Sequence, residues 1–88
     1  MKLLLVTTSG CAACNIQDGL IRKAIKDSGK LVEYERKDVK EISPNLLKAL
    51  KITDFPTTII YVDGEIKFHF SGTRPSIVIE RYMEVNKG

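Results

Sequence analysis

The only two cysteines of the chain stand close together, in the sequence Cys11-Ala12-Ala13-Cys14. Cys11 follows an apolar run that is interrupted by Ser9-Gly10, and an amphipathic helix is expected to begin directly after it. Free amides at a helix N-terminus carry a partial positive charge, which stabilises a thiolate and lowers a cysteine pKa below its usual value of about 8.5. Because the thiolate is the attacking species in thiol–disulfide exchange, this position favours redox chemistry.

Cys14 falls about one helical turn after Cys11, where it can form a disulfide with Cys11 and lie deeper in the protein. We therefore expect Cys14 to resolve a mixed disulfide formed at Cys11. Three other interpretations stay open: a structural disulfide, a metal site shared across a dimer, and two inert cysteines. A disulfide closing so short a loop adds little stability. A zinc site needs about four ligands, which two cysteines and the distant His69 do not supply. A CxxC beside a βαβ pattern favours exchange.

Hydrophobic periodicity predicts the elements that position the cysteine pair. Residues 2–8 form a continuous apolar run that is typical of a buried central strand. A helix is expected over 12–28, ended by Gly29. Gly19 within this helix favours a close approach to a strand. The buried face of the helix is expected to contain Ile16, Leu20, Ile21, Ala24 and Ile25.

The rest of the chain predicts three further strands and two further helices. The strands are expected over 31–36, 57–62 and 65–70, with Asp63-Gly64 as a tight hairpin turn between the last two. Alternation in the last strand should turn Ile66, Phe68 and Phe70 inward. Ser43 and Pro44 are suited to cap and begin a short helix that buries Leu46, Leu47 and Leu50. Thr73 and Pro75 should open a last helix that carries Ile77, Val78, Tyr82, Met83 and Val85.

The composition is that of one small domain with a mildly basic surface. The 88 residues carry 14 Lys and Arg against 11 Asp and Glu, a net charge of +3. The two signs are mixed along the chain, unlike the dense basic stripe of a nucleic-acid-binding protein. The early apolar run at 3–6 is far shorter than the roughly 20 residues of a membrane span, and too short for a signal peptide. We therefore expect residues 1–88 to form a single cytoplasmic domain, a monomer that binds neither nucleic acid nor membrane.

With these elements in place, the chain resembles the thioredoxin/glutaredoxin superfamily over nearly its whole length. The cysteine pair stands at the family's active-site position, after the first strand. Asp54-Phe55-Pro56 stands before the third strand, where the family has a cis-proline loop, and Ser71-Gly72 matches its small glycine turn. The resemblance implies an α/β thioredoxin fold, β-α-β-α-β-β-α, with a four-stranded mixed sheet in the order 2-1-3-4 flanked by three helices.

The resemblance also implies roles for individual residues. Cys11 would be the nucleophile and Cys14 the resolving thiol. Pro56 would be cis, and the backbone of Phe55 would pair with an extended substrate segment. No bound cofactor or metal is implied, only a reversible Cys11–Cys14 disulfide that a thioredoxin reductase or glutathione reduces. The substrate-binding residues would be Gly10, Ala12, Ala13, Phe55, Pro56, Gly72 and Thr73.

Individual positions divide between the two branches of the superfamily. Thioredoxins typically have Trp before the first cysteine, Gly-Pro between the pair and a buried Asp six residues earlier. This chain has Gly10, Ala-Ala and Leu5 at those positions, so proton transfer to Cys14 would need water or another group. The glutathione-binding pattern of glutaredoxins is also incomplete, with Asp54-Phe55 before Pro56 and Ser71-Gly72-Thr73-Arg74 in the later turn. Small glutaredoxin-sized thioredoxins of archaea or phages are the nearest overall likeness.

The sequence therefore predicts a thiol–disulfide oxidoreductase that acts as a thioredoxin-like electron donor through Cys11 and Cys14. Disulfide-containing proteins are the expected substrates, because the rim formed by Ala12 and Ala13 is small, uncharged and apolar, with Phe55 nearby. Two alternatives stay open. One is a glutathione-dependent glutaredoxin, and the other is a non-catalytic binding module that uses the same fold.

Overall fold

The structure, a computed structural model, describes residues 1–87. Its strands are β1 (Lys2–Thr7), β2 (Glu33–Asp38), β3 (Thr57–Val62) and β4 (Glu65–Ser71). Its helices are α1 (Ala12–Ser28), α2 (Pro44–Ala49) and α3 (Ser76–Val85), with a 3₁₀ turn at Val39–Glu41 between β2 and α2. The element order and the sheet order β2-β1-β3-β4 confirm the predicted fold. None of the helices within residues 1–87 combines the length and apolar character that crossing a bilayer requires.

The sheet is mixed because its strands are connected in two different ways. β1 returns through α1 to a parallel partner, β2, and pairs with β3 in the antiparallel sense. β3 and β4 form an antiparallel hairpin around Asp63 and Gly64. Both turn residues have positive φ, 52° and 80°, as a type I′ turn requires. The predicted tight hairpin is therefore confirmed.

Each face of the sheet carries its own hydrophobic core, since successive residues of β1 point in opposite directions. The first, called here the α1/α3 core, contains Leu3, Leu5, Ile21, Ala24, Ile60, Phe70, Ile79 and Met83. The second, the α2 core, contains Leu4, Val6, Ile42 and Ile59, with Leu46, Leu47 and Leu50 packed against it. The prediction that β1 is buried on both faces is confirmed.

Both long helices bury a stripe that differs from the prediction. In α1, Ile16 is 59% exposed, because it lies about 200° around the helix from the buried Cys14. The buried residues are Cys14, Gln17, Ile21 and Ala24. In α3, Ile79 and Met83 define the buried face one turn apart. Ile77 and Val85 stand two residues outside that pair and are 69% and 67% exposed.

Strand edges and caps account for the remaining differences. β2 begins at Glu33 rather than residue 31, because its pairing begins opposite Lys2, where β1 starts. A register shift between Ile60 and Tyr61 places Ile66 opposite Tyr61, so Ile66 does not share the inward face of Phe68 and Phe70. Ser43 stands at the N-cap of α2 without a side-chain capping bond, although Pro44 begins that helix as predicted.

Candidate active site

Cys11 occupies the N-cap of α1, a position where Ser, Thr, Asp and Asn are preferred because their oxygens accept from free helix amides. Its Sγ takes the place of such an oxygen and accepts a hydrogen bond from the backbone N–H of Cys14 at 3.0 Å. Gly10 just before it has a φ of 69°, a left-handed conformation that glycine adopts without strain. The chain therefore turns sharply at Gly10 and holds the sulfur of Cys11 at the positive end of the helix.

The two cysteines form a disulfide and differ in burial. Their Sγ atoms are bonded, and their Cα atoms are 5.2 Å apart, within the usual disulfide range of about 4.4–6.8 Å. Cys14 is fully buried, whereas Cys11 is half-buried and reachable from solvent. An incoming thiol or disulfide can thus meet Cys11 but not Cys14, which suits an outer nucleophile and an inner resolving thiol.

The loop before β3 has the cis peptide bond that the resemblance implied, between Phe55 and Pro56. Pro56 is buried, while Phe55 is half-buried and packs its ring against the α2 core. The hydroxyl of Thr57 donates to the carbonyl oxygen of Asp54 at 2.6 Å and lies 3.2 Å from the hydroxyl of Ser71. The Thr57 hydroxyl therefore joins the loop before β3 to the end of β4. No local pattern in the sequence indicated this role.

Two hydrogen bonds join three segments that are far apart in the sequence. The backbone N–H of Gly72 donates to the carbonyl oxygen of Pro56 at 2.8 Å, which ties the turn after β4 to the cis-proline loop. The backbone N–H of Arg74 donates to Oε1 of Gln17 at 2.8 Å, which ties the same turn to α1. The turn at 71–74 is thus the link between the cysteine helix and the proline loop.

Gln17 is the site residue that the sequence analysis missed. It is fully buried on the same stripe of α1 as Cys14. The signal was present, because the heptad-like spacing 14, 17, 21 and 24 gives one helical face, but the predicted face began at Ile16 instead. Within residues 1–87, Nε2 of Gln17 and Oγ1 of Thr58 are buried without a hydrogen-bond partner.

The predicted rim residues differ in their exposure to solvent. Gly10, Ala12, Ala13 and Thr73 are exposed, and Gly72 is half-buried. These residues are glycine, alanine and threonine, so none of them contributes a charged side chain. Within the described part of the chain, no group of three or more His, Cys, Asp and Glu residues is placed to hold a metal ion.

The flank of α1 that faces β2 is fixed by a polar cluster. The hydroxyl of Tyr34 donates to Asp18 at 2.6 Å, Arg22 donates to Asp18 at 3.2 Å, and Arg36 donates to Asn15 at 2.7 Å. Burial acts to raise the pKa of Asp18, but hydrogen bonds from Tyr34 and Arg22 outweigh it and hold the pKa below its usual value. Burial and the Asp18 carboxylate both raise the pKa of Tyr34. The cluster orients the first turns of α1, where the cysteines lie.

Solved structures of known proteins share the fold of this chain. A scan against protein-family models finds no match, and no curated protein matches the sequence. Among solved structures, the chain is similar to thioredoxin-2 of the malaria parasite, at 18% identity and a TM-score of 0.78, covering 96% of this chain and 81% of that one.

Two further thioredoxin structures agree with that likeness. Chloroplastic thioredoxin z matches at 19% identity and a TM-score of 0.76, with 98% of this chain and 77% of that one covered. A mutant thioredoxin from Halobacterium salinarum NRC-1 matches at 17% identity and a TM-score of 0.79, with 99% and 74% covered. Such likenesses show the fold, and the chain is therefore a thioredoxin-fold protein with a CxxC disulfide at the start of α1.

Proposed function

We propose that this protein is a thiol–disulfide oxidoreductase that reduces protein disulfides through Cys11 and Cys14. The observation that carries the proposal is the hydrogen bond from the Cys14 amide to the Cys11 sulfur, at a helix N-terminus that solvent can reach. When the disulfide is reduced, the same amide and the helix dipole favour the thiolate form of Cys11. We expect the pKa of Cys11 in the reduced protein to lie below about 8.5.

In the first step, the Cys11 thiolate attacks one sulfur of a substrate disulfide. A bond forms between Cys11 Sγ and that sulfur, and the substrate S–S bond breaks. Its electron pair leaves with the second substrate sulfur, which takes a proton from water. The product is a mixed disulfide that links Cys11 to the substrate.

In the second step, Cys14 loses its proton and attacks Cys11 Sγ. The Cys11–Cys14 disulfide forms, and the bond to the substrate breaks. The substrate sulfur departs with the electron pair and is protonated. Two electrons have then passed from the protein dithiol to the substrate, and an external dithiol reductase or a small thiol such as glutathione returns them.

The rim supports a protein rather than a small charged molecule as substrate. Ala12, Ala13 and Thr73 are exposed and uncharged, and Phe55 lies outside the β3 pairing, which begins at Thr57. An extended peptide next to Phe55 would use main-chain hydrogen bonds, which suit many sequences. We propose these residues, with Gly10, Pro56 and Gly72, as the substrate-binding surface.

A thioredoxin reductase is proposed as electron donor in preference to glutathione. The candidate cation for a glutathione carboxylate is Arg74, and its guanidinium already donates to the carbonyl oxygen of Thr73 and lies 5.5 Å from the Phe70 ring centroid. Turnover with an NADPH-linked thioredoxin reductase but not with glutathione and its reductase is the expected result. The opposite preference would make the protein a glutaredoxin. The cytoplasmic location and the monomeric state of this protein stay predictions.

Insulin reduction by dithiothreitol tests the proposed reaction. The wild type should accelerate it, and Cys11→Ser should fall to the uncatalysed rate because no nucleophile remains. Cys14→Ser should form a mixed disulfide with insulin that persists on a non-reducing gel. Ser9→Ala is the matched control, since it changes a neighbouring surface side chain and leaves both sulfurs. A wild type that does not accelerate insulin reduction would favour a non-catalytic binding module instead.

A further inference from the structure

In the carboxamide of Gln17, the oxygen has a hydrogen-bond partner and the nitrogen has none among residues 1–87. Its Oε1 accepts from the backbone N–H of Arg74 at 2.8 Å, so the oxygen must face the turn at 71–74. The amide group then points the other way, and its Nε2 is buried without a partner in residues 1–87. A buried donor without a partner is unfavourable. Groups of this kind in folded proteins can have a redox or catalytic role.

The spacing of residues on α1 makes the sulfur of Cys14 a candidate acceptor on the same helix face. Gln17 follows Cys14 by three residues, and side chains at this spacing lie about 5–6 Å apart at Cβ on one helix face. Side chains on a helix also lean toward its N-terminus, so the Gln17 carboxamide leans toward the turn that contains Cys14. Both residues are fully buried. In the disulfide, Cys14 Sγ is a weak acceptor, whereas a thiolate is a strong one.

We propose that Nε2 of Gln17 donates a hydrogen bond to the Cys14 thiolate that forms when the disulfide opens. Gln17 would then be a catalytic residue of the resolving step, and this role rests on the proposed exchange reaction. The donor lowers the pKa of Cys14 in a place that water does not reach. The same residue couples the sulfur to the 71–74 turn through Oε1, so one carboxamide would serve both the resolving thiol and the substrate-side turn.

The expected size of the effect is moderate. Hydrogen bonds to charged groups contribute enough to shift a pKa by about one unit or more, which is a tenfold change in thiolate at a given pH. A thiolate also becomes less nucleophilic as its pKa falls, with a Brønsted slope of about 0.4–0.5, so the net gain in resolving rate is only about threefold. The pKa of Cys14 is therefore the sharper measurement.

The first test measures that pKa with Cys14 as the single cysteine. Thiolate absorbance against pH is compared between Cys11→Ser and the double variant Cys11→Ser/Gln17→Met. Serine is itself a good N-cap, so α1 keeps its start, and methionine keeps the volume of Gln17. We expect the Cys14 pKa to rise by about one unit when Gln17 is replaced. An unchanged pKa would overturn the proposal.

The matched control is Thr58→Val in the same Cys11→Ser background. Thr58 has the other buried polar atom without a partner, and it lies on a strand rather than on the helix of Cys14. Its replacement should leave the Cys14 pKa unchanged. A shift as large as that from Gln17→Met would show that general polarity of the core, and not the Gln17 donor, sets this pKa. Such a result would also overturn the proposal.

The ionisable groups beside α1 are common to the parent and its variants. They include Asp18, which is bound by Tyr34, and Arg74 in the linking turn, whose backbone N–H binds Gln17. Their contributions to the Cys14 pKa cancel in the comparison. A difference between the variants therefore reports on Gln17 or Thr58.

A second measurement on the wild type does not depend on any variant folding. Reduction of the Cys11–Cys14 disulfide should move the NMR signals of the Gln17 side-chain amide and slow the exchange of its protons with water. Signals that stay in place between the two redox states, across the pH range where Cys14 ionises, would contradict the proposal. Neither measurement needs a substrate, so failure of this inference is separate from failure of insulin reduction.

Discussion

On one face of the sheet, α1 and α3, with 17 and 10 residues, cover a core of eight buried residues. On the other face, α2, with 6 residues, covers a core of four. Both cores use the same strands, because β1 and β3 are buried on their two sides. The difference between the faces therefore comes from what covers them.

The α2 face is left open toward β2. A groove of about 620 Å³ lies there, and its lining includes Glu33, Glu35 and Lys37 of β2. Glu35 pairs with Leu4, so the side chains of Glu33, Glu35 and Lys37 lie on the same face of the sheet as the α2 core. They form the solvent-exposed edge of that face. The α1/α3 face has instead Tyr34 at the corresponding edge, packed against the core and bound to Asp18.

The candidate active site uses the two faces differently. Its buried half, Cys14 and Gln17, continues the stripe of α1 that ends in the α1/α3 core. The cis-proline loop of the site packs on the other face of the sheet, where the Phe55 ring contacts the α2 core. The fully buried sulfur of Cys14 thus lies on the side that two helices cover. The proposed substrate-binding loop packs on the side that one short helix covers.

Truncating two adjacent isoleucines should give the largest measurable difference between the faces. Ile59 and Ile60 follow each other in β3, are both fully buried, and point into the α2 and α1/α3 cores respectively. We expect Ile60→Ala to lower the free energy of unfolding by about 4 kcal/mol, and Ile59→Ala by about 2–3 kcal/mol. The α2 side can relax toward its groove, whereas the two-helix side cannot. Urea denaturation measures both values.

Milder variants keep this comparison usable if an alanine variant does not fold. Ile59→Val and Ile60→Val should each cost about 0.5–1.5 kcal/mol and keep the same order. The m-values should match the wild type, which would show that the unfolded states are alike. An Ile59 series that costs as much as the Ile60 series would mean that α2 covers its face as firmly as two helices do.

Removing the Tyr34 hydroxyl should have the next largest effect, at the edge where the two faces differ most. Tyr34→Phe should lower the free energy of unfolding at neutral pH by about 1.5 kcal/mol, since it deletes a hydrogen bond to a charged carboxylate. Asp18 keeps its hydrogen bond from Arg22 in this variant. The loss of stability should therefore lie at the lower end of the range for hydrogen bonds to charged groups. Tyr61→Phe is the control on the opposite face, and it should change stability less.

The Tyr34 effect should also depend on pH in a defined direction. The pKa of Asp18 is lower in the folded protein than its usual value. Its stabilisation is thus fully present above the unfolded-state pKa of about 3.9 and is lost as the pH falls through the folded-state pKa. Unfolding curves of wild type and Tyr34→Phe should therefore converge in acid. Curves that stay equally far apart after the Asp18 carboxyl has been protonated in the folded protein would show that Asp18 does not mediate the effect.

Local sequence patterns were sufficient for the elements and for part of the site. The bounds of α1 and β3, the Asp63-Gly64 turn and the start of α2 at Pro44 are as predicted, because each depends on neighbouring residues. The CxxC at the start of α1 is equally local. The cis bond at Pro56 came from the family resemblance, and no local pattern would have predicted it.

Features that depend on distant partners were not predictable in this way. Gln17 is polar and was assigned to no face, yet the Arg74 amide, 57 residues later, makes its burial tolerable. Thr57 closes its loop through Ser71 on the next strand. Ile66 leaves the inward face because of a register shift that only the pairing with β3 defines. Gly19 was expected to approach a strand, but it is exposed.

The smallest predicted change in the free energy of unfolding concerns Gly19, which lies on the side of α1 that faces neither core. A Cβ at Gly19 or at Gly29 would meet nothing within 4 Å among the described residues, so backbone conformation alone separates the two positions. Gly19 is helical, and Gly19→Ala should raise the free energy of unfolding by about 0.5–1 kcal/mol. Gly29 ends α1 with a φ of 68°, and Gly29→Ala should lower it by about 1 kcal/mol. Urea denaturation of the two variants tests the pair, and a loss of stability at Gly19 would mean that the outer face of α1 is packed after all.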